Sequence, residues 1–525
     1  MSQWNYTRMQ CVLLAVVLLI LAGCGGSSGG TTTPPVAGGP PPPAVDTDGD
    51  GTPDDMDDDD DNDLVPDTAD AFPLNPARTK AIEPLFFDAN GDLMLPDTPA
   101  ANQLLWVLSE LADTETTAQE IQGRFSAATL AAIPVADWQA FFTSLRAAIP
   151  AGTVQDIITM TPTSVRVLVG DAANPASGQF MVIGTSIGDG LIDSFGASPF
   201  PLNGTSTGTA DQNLTYATAA DKLGTIAEDI GVLVAEIDAD NQCQPIFARN
   251  AEDPFGIASI FKIYVMGAIA EAINDGTLTP GQEIPLIADD VVLGGSINDE
   301  LGEMVSITDL AALMLGISDN TATEHLFKLV GRDRIEAILD TFNHANQDAM
   351  EPFLSMNEAF HLYFTVPNAD AQNYLQLDEV GQRDYVANTL TPLGPVTNFS
   401  RANPEILVQA LWQASPTDVC NAMAGLRQFN DATSGFEVLD LTYGAETLVV
   451  NLRDQWERVW FKGGSLGDGN GLRVLTYGWM FESDNRGAYA VILMGNNDSG
   501  GIARIDQAAF SSVASRIIDI VNADN

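Results

Sequence analysis

The sequence predicts an α+β protein made of two such units, and three observations carry the prediction. Residues about 98–150 place apolar side chains at three- and four-residue spacing in ANQLLWVLSELA, RFSAATLAAIP and ADWQAFFTSLRAAIP, the period of helices that bury one face. Residues about 152–195 change to short β-type runs, TVQDIITMT, SVRVLVGDA and GQFMVIGTSI. Residues 215–525 open with two strand-like runs, IGVLVAEID and QPIFARNAE, pass through a helical stretch, and return to strands at 456–463, 472–482 and 487–495 before a last helix from about 505 to 523. Blocks of helices and blocks of strands, rather than strict alternation, indicate α+β architecture.

Composition sets outer limits on function. The chain carries 71 acidic against 22 basic residues, a formal net charge of −49, so nucleic acid and anionic lipid surfaces are excluded as partners for its bulk. At 45% hydrophobic and 18% charged residues it must bury cores over most of its length. Lysine is scarce: Lys80, Lys222, Lys262, Lys328 and Lys462 are all that occur.

The N-terminus reads as an address. MSQWNYTRMQ precedes the apolar run CVLLAVVLLILAG, too short for a comfortable membrane span and laid out as a secretory signal over residues 1–23. Leu21-Ala22-Gly23-Cys24 resembles a bacterial lipobox, which implies lipidation of Cys24. Gly25 follows rather than Asp, which by the same resemblance implies the outer membrane and a cell-envelope location, with contact to membrane only through the lipid anchor. Residues 24–45 are a Gly/Ser then Pro-rich spacer. In an oxidising compartment Cys243 and Cys420 could pair or remain two buried thiols.

Residues 46–76 contain an internal repeat. A shift of 13 superposes Asp46 on Asp59, Asp48 on Asp61, Asp50 on Asp63, Pro53 on Pro66, Asp54 on Asp67 and Asp57 on Asp70. Carboxylates at alternating positions of a tight loop can supply the six to eight hard oxygens that Ca²⁺ takes. With its closing AFPLNP the segment resembles thrombospondin type 3 calcium repeats, which implies Ca²⁺ as the one cofactor, held by Asp46, Asp48, Asp50, Asp57, Asp59, Asp61, Asp63 and Asp70. The alternative is a solvated charge run. Residues 85–205 contain no paired carboxylates, histidine or metal spacing, and are expected to pack against or shape a neighbouring site.

Chemistry concentrates in three short pieces. In PFGIASIFKIYVMGAIAEAI, Ser259 and Lys262 are spaced i, i+3 and share one face of a helix's first turn, where free N–H groups create a positive field. A desolvated lysine can lose its proton and then deprotonate the serine. In LAALMLGISDNTATEHLF, Ser318 and Asn320 offer a hydroxyl to relay a proton and an amide to hold an acyl substituent, although Ser, Asp and Asn are also the best helix caps. In ERVWFKGGSLGDG, Lys462 ends a strand; Gly464 lets a substrate lie against the backbone, and the N–H of Ser465 could join that of Ser259 as an oxyanion hole. A plain β-turn with a flanking lysine is the alternative.

Ser-x-x-Lys, Ser-Asp-Asn and Lys-Gly-Gly, in this order, resemble the serine β-lactamase and penicillin-binding protein superfamily over about 300 residues, and SDNTATEHLFKLVGRDRIEAIL resembles class A β-lactamases after their second motif. The resemblance implies, for residues 215–525, an antiparallel five-stranded sheet with flanking helices and a helical subdomain. It implies Ser259 as nucleophile, Lys262 as its base, Ser318 as proton relay, Asn320 as amide anchor and Lys462 as electrostatic partner, acting through an acyl-enzyme on a small acyl substrate, a β-lactam in antibiotic resistance or a related amide or ester, with no cofactor for catalysis. Glu351 in Glu-Pro-Phe-Leu-Ser is the candidate deacylating base, or else a loop carboxylate. EPFLSMNEAFHL also resembles the clavulanate-biosynthesis esterase family, whose small isomerase-like domain the 85–205 segment resembles; that implies an esterase with little β-lactam turnover. A calcium-binding envelope lipoprotein without catalysis is the third reading. His325, His344 and His361 show no close metal spacing, and no zinc is assigned.

Overall fold

The computed structural model describes residues between 47 and 524, apart from 75–81, 407–410, 433–437, 498–501 and shorter gaps. The signal and spacer (1–45), Cys24, Asp46, Asp61 and Asp63 lie outside the described residues. Among those described, no helix is long and apolar enough to cross a membrane.

The small domain follows the predicted order. Helices α1 (Pro99–Ala112), α2 (Ala118–Arg124), α3 (Ala127–Ala132) and α4 (Val135–Ala148) precede strands β1 (Thr153–Thr161), β2 (Ser164–Gly170), β3 (Gln179–Thr185) and β4 (Ile192–Pro199). Side-chain caps start the first three helices: Thr98 accepts from Ala101 N–H, Thr117 and Glu120 form a reciprocal capping box, and Ser126 accepts from Thr129 N–H. The strands form a four-stranded antiparallel meander in chain order. Its inner face, with Ile157, Val165, Val167, Met181 and Ile183, packs on Trp106, Phe125, Trp138 and Phe142 of the helical layer.

The larger domain is a five-stranded antiparallel sheet. Helix α5 (Tyr216–Leu223) leads into β5 (Asp229–Ile237) and β6 (Cys243–Arg249), followed by the two-residue strand β7 (Phe255–Gly256), a 3₁₀ turn (Ala258–Phe261) and α6 (Lys262–Asn274). Beyond the short hairpin β8 (Glu283–Pro285) and β9 (Met304–Ser306) come α7 (Ile307–Gly316), α8 (Asn320–Val330), α9 (Arg332–Thr341), α10 (Met356–Phe364), α11 (Asn368–Tyr374) and α12 (Glu379–Tyr385). The chain returns through β10 (Gln413–Ala414), α13 (Pro416–Ala432) and α14 (Val438–Tyr443) to β11 (Arg458–Gly467), β12 (Leu472–Ser483), β13 (Gly487–Asn496) and the terminal α15 (Gln507–Asp524). Sheet order is β11-β12-β13-β5-β6, so the three late strands join the two early ones through the β13–β5 pair.

Period-2 alternation sorts the sheet's side chains into two cores. On β5, Leu233, Ala235 and Ile237 face the core that contains α6 and α7, while Val232 and Val234 face the one that contains α5 and α15. Trp460 on β11 belongs to the first core and Val459 and Phe461 to the second. Lys462, two residues from Trp460, therefore points toward α6 and α7. Cys243 on β6 and Cys420 on α13 are joined by a disulfide, which fixes that helix to the sheet edge.

The two domains share backbone hydrogen bonds. Met160 N–H donates to Ala445 O (2.8 Å) and Thr447 N–H to Ile158 O (2.9 Å), so the stretch after α14 lies along β1 like a short extra strand.

Candidate active site

Ser259 sits in the 3₁₀ turn between β7 and α6, partly exposed, with the buried Ala258, Ile260 and Phe261 around it. The turn is held from outside. Thr476 Oγ1 on β12 donates to Ile257 O (2.9 Å), Ile257 N–H donates to Trp412 O (3.2 Å), and the Phe261 ring stacks on Trp412 at 3.9 Å. Ala258 takes φ +44°, a left-handed conformation that a non-glycine residue holds only under such constraint. Across from the turn, a Cβ added to Gly464 would lie 2.3 Å from Ile257 O and 2.9 Å from Ser259 N. Only glycine lets β11 come this close, which gives the Lys-Gly-Gly its physical reason.

The loop between α7 and α8 supplies the second piece. Ser318 stands at φ +60°. Asp319 takes the capping role: its Oδ1 accepts from Ala322 N–H (2.7 Å), and Oδ2 accepts from Ser296 Oγ (2.7 Å). Ser318 and Asn320 are thereby left for the site. Asn320 is oriented at both ends, donating from Nδ2 to Leu293 O (2.9 Å) and accepting at Oδ1 from Lys262 (3.0 Å).

Two lysines converge on one hydroxyl. Lys262 Nζ donates to Ser318 O (2.6 Å), Asn320 Oδ1 (3.0 Å), Ser318 Oγ (3.2 Å) and Asp319 O (3.4 Å). Lys462 Nζ donates to Ser318 Oγ (3.0 Å) and Gly463 O (2.7 Å). Both lysines are buried, at 0% and 1% exposure, so neither ammonium is solvated by water, and two buried cations facing one oxygen repel each other. Burial, then the neighbouring Lys462, holds Lys262 well below the ordinary lysine range, with Asp319 opposing. Burial brings Lys462 down to about 7, with Glu446 opposing. Among the described residues the Ser259 hydroxyl itself has no hydrogen-bond partner. It stands one 3₁₀ turn before Lys262, open on the side that faces solvent.

Of the residues singled out from the sequence, Lys262, Ser318, Asn320 and Lys462 form one hydrogen-bonded cluster, and Ser259 and Gly464 adjoin it through the backbone. Ser465 follows on β11, opposite Leu475 of β12. Glu351 lies elsewhere in its contacts: it is a quarter exposed and faces Arg383 at 3.6 Å, among Glu336 and Glu379, and burial and these carboxylates raise its pKa. Each histidine is buried with both ring nitrogens engaged, as in His325 between Thr321 O (2.8 Å) and Ile287 N–H (3.0 Å).

Three further residues escaped the sequence reading. Thr476 pins the turn that carries Ser259, yet a threonine within LRVLTYGWMF gives no signal beyond strand propensity. Glu324 is buried on α8, accepting from Ser355 Oγ (3.0 Å) and Asn357 N–H (3.2 Å); within the mixed polar and apolar NTATEHLFKLV nothing marks a glutamate as buried. Glu446 is buried at the domain interface, and its small-domain partners Thr159 and Arg166 lie nearly 300 residues away in sequence, beyond any local pattern. In the acidic segment, carboxylate oxygens of Asp48, Asp50 and Asp57 lie within 4.8 Å of one another; Asp59 and Asp70 are not part of that group.

Comparison with known proteins bears on both domains. Residues 217–384 match the β-lactamase enzyme family, and residues 95–176 match the family described as the N-terminal part of the ORF 12 gene product. The first match contains Ser259, Lys262, Ser318 and Asn320 and ends before Lys462. No curated protein matches. Similar solved structures include a β-lactamase from Chitinophaga pinensis, 14% identical over 59% of this chain and 98% of that one with a TM-score of 0.40. Others are a β-lactamase from Sphaerobacter thermophilus, 18% identical over 59% and 96% with a TM-score of 0.38, and an ancestral class A β-lactamase, 16% identical over 58% and 98%, also 0.38.

Proposed function

We propose that the chain is a serine acyl hydrolase that works through an acyl-enzyme on β-lactams or related amides and esters. The observation that supports this best is the Ser318 hydroxyl shared by Lys262 and Lys462, next to a free Ser259 hydroxyl. Ser259 Oγ attacks the acyl carbon while its proton passes to the neutral amine of Lys262. The carbonyl oxygen becomes an oxyanion held by the N–H groups of Ser259 and Ser465. As the intermediate collapses, the Ser318 hydroxyl delivers a proton to the leaving nitrogen or oxygen and is reprotonated from the lysines, leaving an ester on Ser259. Water then releases the acid. Asn320 holds the acyl side chain through its amide, and Lys462, when cationic, receives a substrate carboxylate.

The chromogenic cephalosporin nitrocefin tests this reading. A burst equal to the enzyme concentration, with or without later turnover, is expected, and no burst at any enzyme concentration would sink it. A second reading, an esterase with little β-lactam turnover, is favoured by the Glu351 carboxylate facing Arg383 rather than the lysine pair. In that case the burst is followed by little hydrolysis, while acetyl esters are cleaved steadily.

Around this catalytic role we place the chain in the bacterial cell envelope, lipid-anchored at Cys24, with Ca²⁺ bound in segment 46–76. Convergence of Asp48, Asp50 and Asp57 supports the calcium assignment. It fails if calorimetry of the full chain shows no heat of calcium binding at millimolar concentration that deletion of 46–76 removes.

A further inference from the structure

The loop that joins β8 to β9 (286–303) wraps around the start of α8. Leu293 O accepts from Asn320 Nδ2 (2.9 Å), Ser296 Oγ donates to Asp319 Oδ2 (2.7 Å), and Val292 N–H donates to Thr321 Oγ1 (2.9 Å). Asn298 closes the loop on itself, its Nδ2 donating to Val292 O (2.9 Å), and Ile297 is buried in the core. A side-chain amide has two N–H donors and one oxygen. In Asn320 the oxygen takes Lys262 and one N–H takes Leu293 O, so the position of Leu293 O decides where the second N–H points.

The far end of this loop is held by the small domain. Both oxygens of Glu300, two residues past Asn298, accept backbone N–H groups from the connection between β3 and β4: Oε1 from Ile187 (3.2 Å) and Oε2 from Gly188 (3.3 Å). Glu300 N–H donates to Ile297 O (3.1 Å), which ties this clamp to the buried part of the loop. The Ile187 side chain packs against the same core as Leu293 and Ile317. The end of β1 also reaches the Ser-Asp-Asn segment: a Cβ at Gly316, two residues before Ser318, would lie 2.6 Å from Thr161 Cγ2.

We propose that the small domain sets acyl-side-chain selectivity: Ile187 and Gly188 clamp Glu300, and Glu300 is the positioning residue that keeps Leu293 O in place and, through it, Asn320 Nδ2 aimed at the amide carbonyl of an acylamino substrate. A substrate with an amine in place of that carbonyl offers no acceptor and gains nothing from the clamp. Glu300 touches no reacting atom, so it acts on recognition and not on the chemistry at Ser259. The inference rests on the reading of Asn320 as the anchor of the acyl side chain.

Benzylpenicillin and 6-aminopenicillanic acid share the β-lactam nucleus and its carboxylate, and only the first has an acylamino carbonyl. Mass spectrometry of the full chain at short times gives the acylation rate constant for each. Glu300→Ala is expected to lower the second-order constant for benzylpenicillin about tenfold, through weaker binding with the rate at saturation retained, and to change that for 6-aminopenicillanic acid by no more than about twofold. Ile187→Ala, a change confined to the small domain, is expected to shift the ratio in the same direction. Constants that fall equally for both compounds, or not at all, make Glu300 a scaffold residue and overturn the proposal. A ratio shifted in Glu300→Ala but not in Ile187→Ala removes the small domain's part and overturns it as well. If neither compound acylates the unsubstituted chain, the acyl-transfer reading fails on its own; hydrogen exchange still reads the clamp, with faster exchange across 291–300 expected in both variants and unchanged exchange overturning it.

Discussion

Gly464 carries more of the site's geometry than its missing side chain suggests. A methyl group there would meet Ile257 O, Thr476 Oγ1 and Ser259 N at 2.3, 2.6 and 2.9 Å, all of them backbone or tightly bonded atoms that cannot yield. Gly464→Ala is expected to cost about 1–3 kcal/mol of stability by overpacking and, by pushing β11 off the nucleophile turn, to slow nitrocefin acylation about 100-fold; denaturant titration and stopped-flow kinetics measure the two. A second expectation concerns pH. Lys462 is held to about 7 against an ordinary 10.5, so its cation is present below neutrality and lost as pH rises. Acylation by a carboxylate-bearing cephalosporin should then fall above pH 7 relative to acylation by an uncharged ester; parallel profiles would remove Lys462 as the carboxylate's partner. At this scale Ser259, Lys262, Ser318, Asn320 and Lys462 were legible because each stands in a short motif of fixed spacing. Glu446 and Thr476 were not, since their roles are set by partners from distant segments.

Among the elements, the sheet and its two cores follow from alternation that the sequence displays openly. All five main strands and the terminal helix lie where periodicity predicts them, β11 running a few residues past its predicted end to include the Lys-Gly-Gly. The two-residue strands β7 and β10, the first of them just before the turn that carries Ser259, have no period of their own and arise from tertiary pairing. In Ser-Asp-Asn the helix cap falls to Asp319 alone, while Ser318 and Asn320 face Lys262. The Cys243–Cys420 bond, left open by the sequence, closes a span of 177 residues between β6 and α13. Replacing both cysteines by alanine should lower unfolding free energy by about 2–5 kcal/mol in denaturant titration; an unchanged midpoint would mean that the bond does not constrain the unfolded chain.

For the whole molecule, the net charge of −49 divides between an aspartate repeat outside both folded domains and acidity spread over their surfaces, consistent with a solvated protein whose chemistry is sheltered inside. Fold class was legible throughout, because helices then strands, and strands around helices, are local signals. How β1 of the small domain docks along residues 445–447 was not, because that contact depends on backbone pairing between segments nearly 300 residues apart. The central claim is that this assembly directs acyl transfer to Ser259. Incubating the full chain with a fluorescent penicillin and mapping the adduct by mass spectrometry tests it most directly. One label per chain on the peptide containing Ser259, abolished in Ser259→Ala, is the predicted result; undiminished labelling of Ser259→Ala, or a label on another residue, would contradict it.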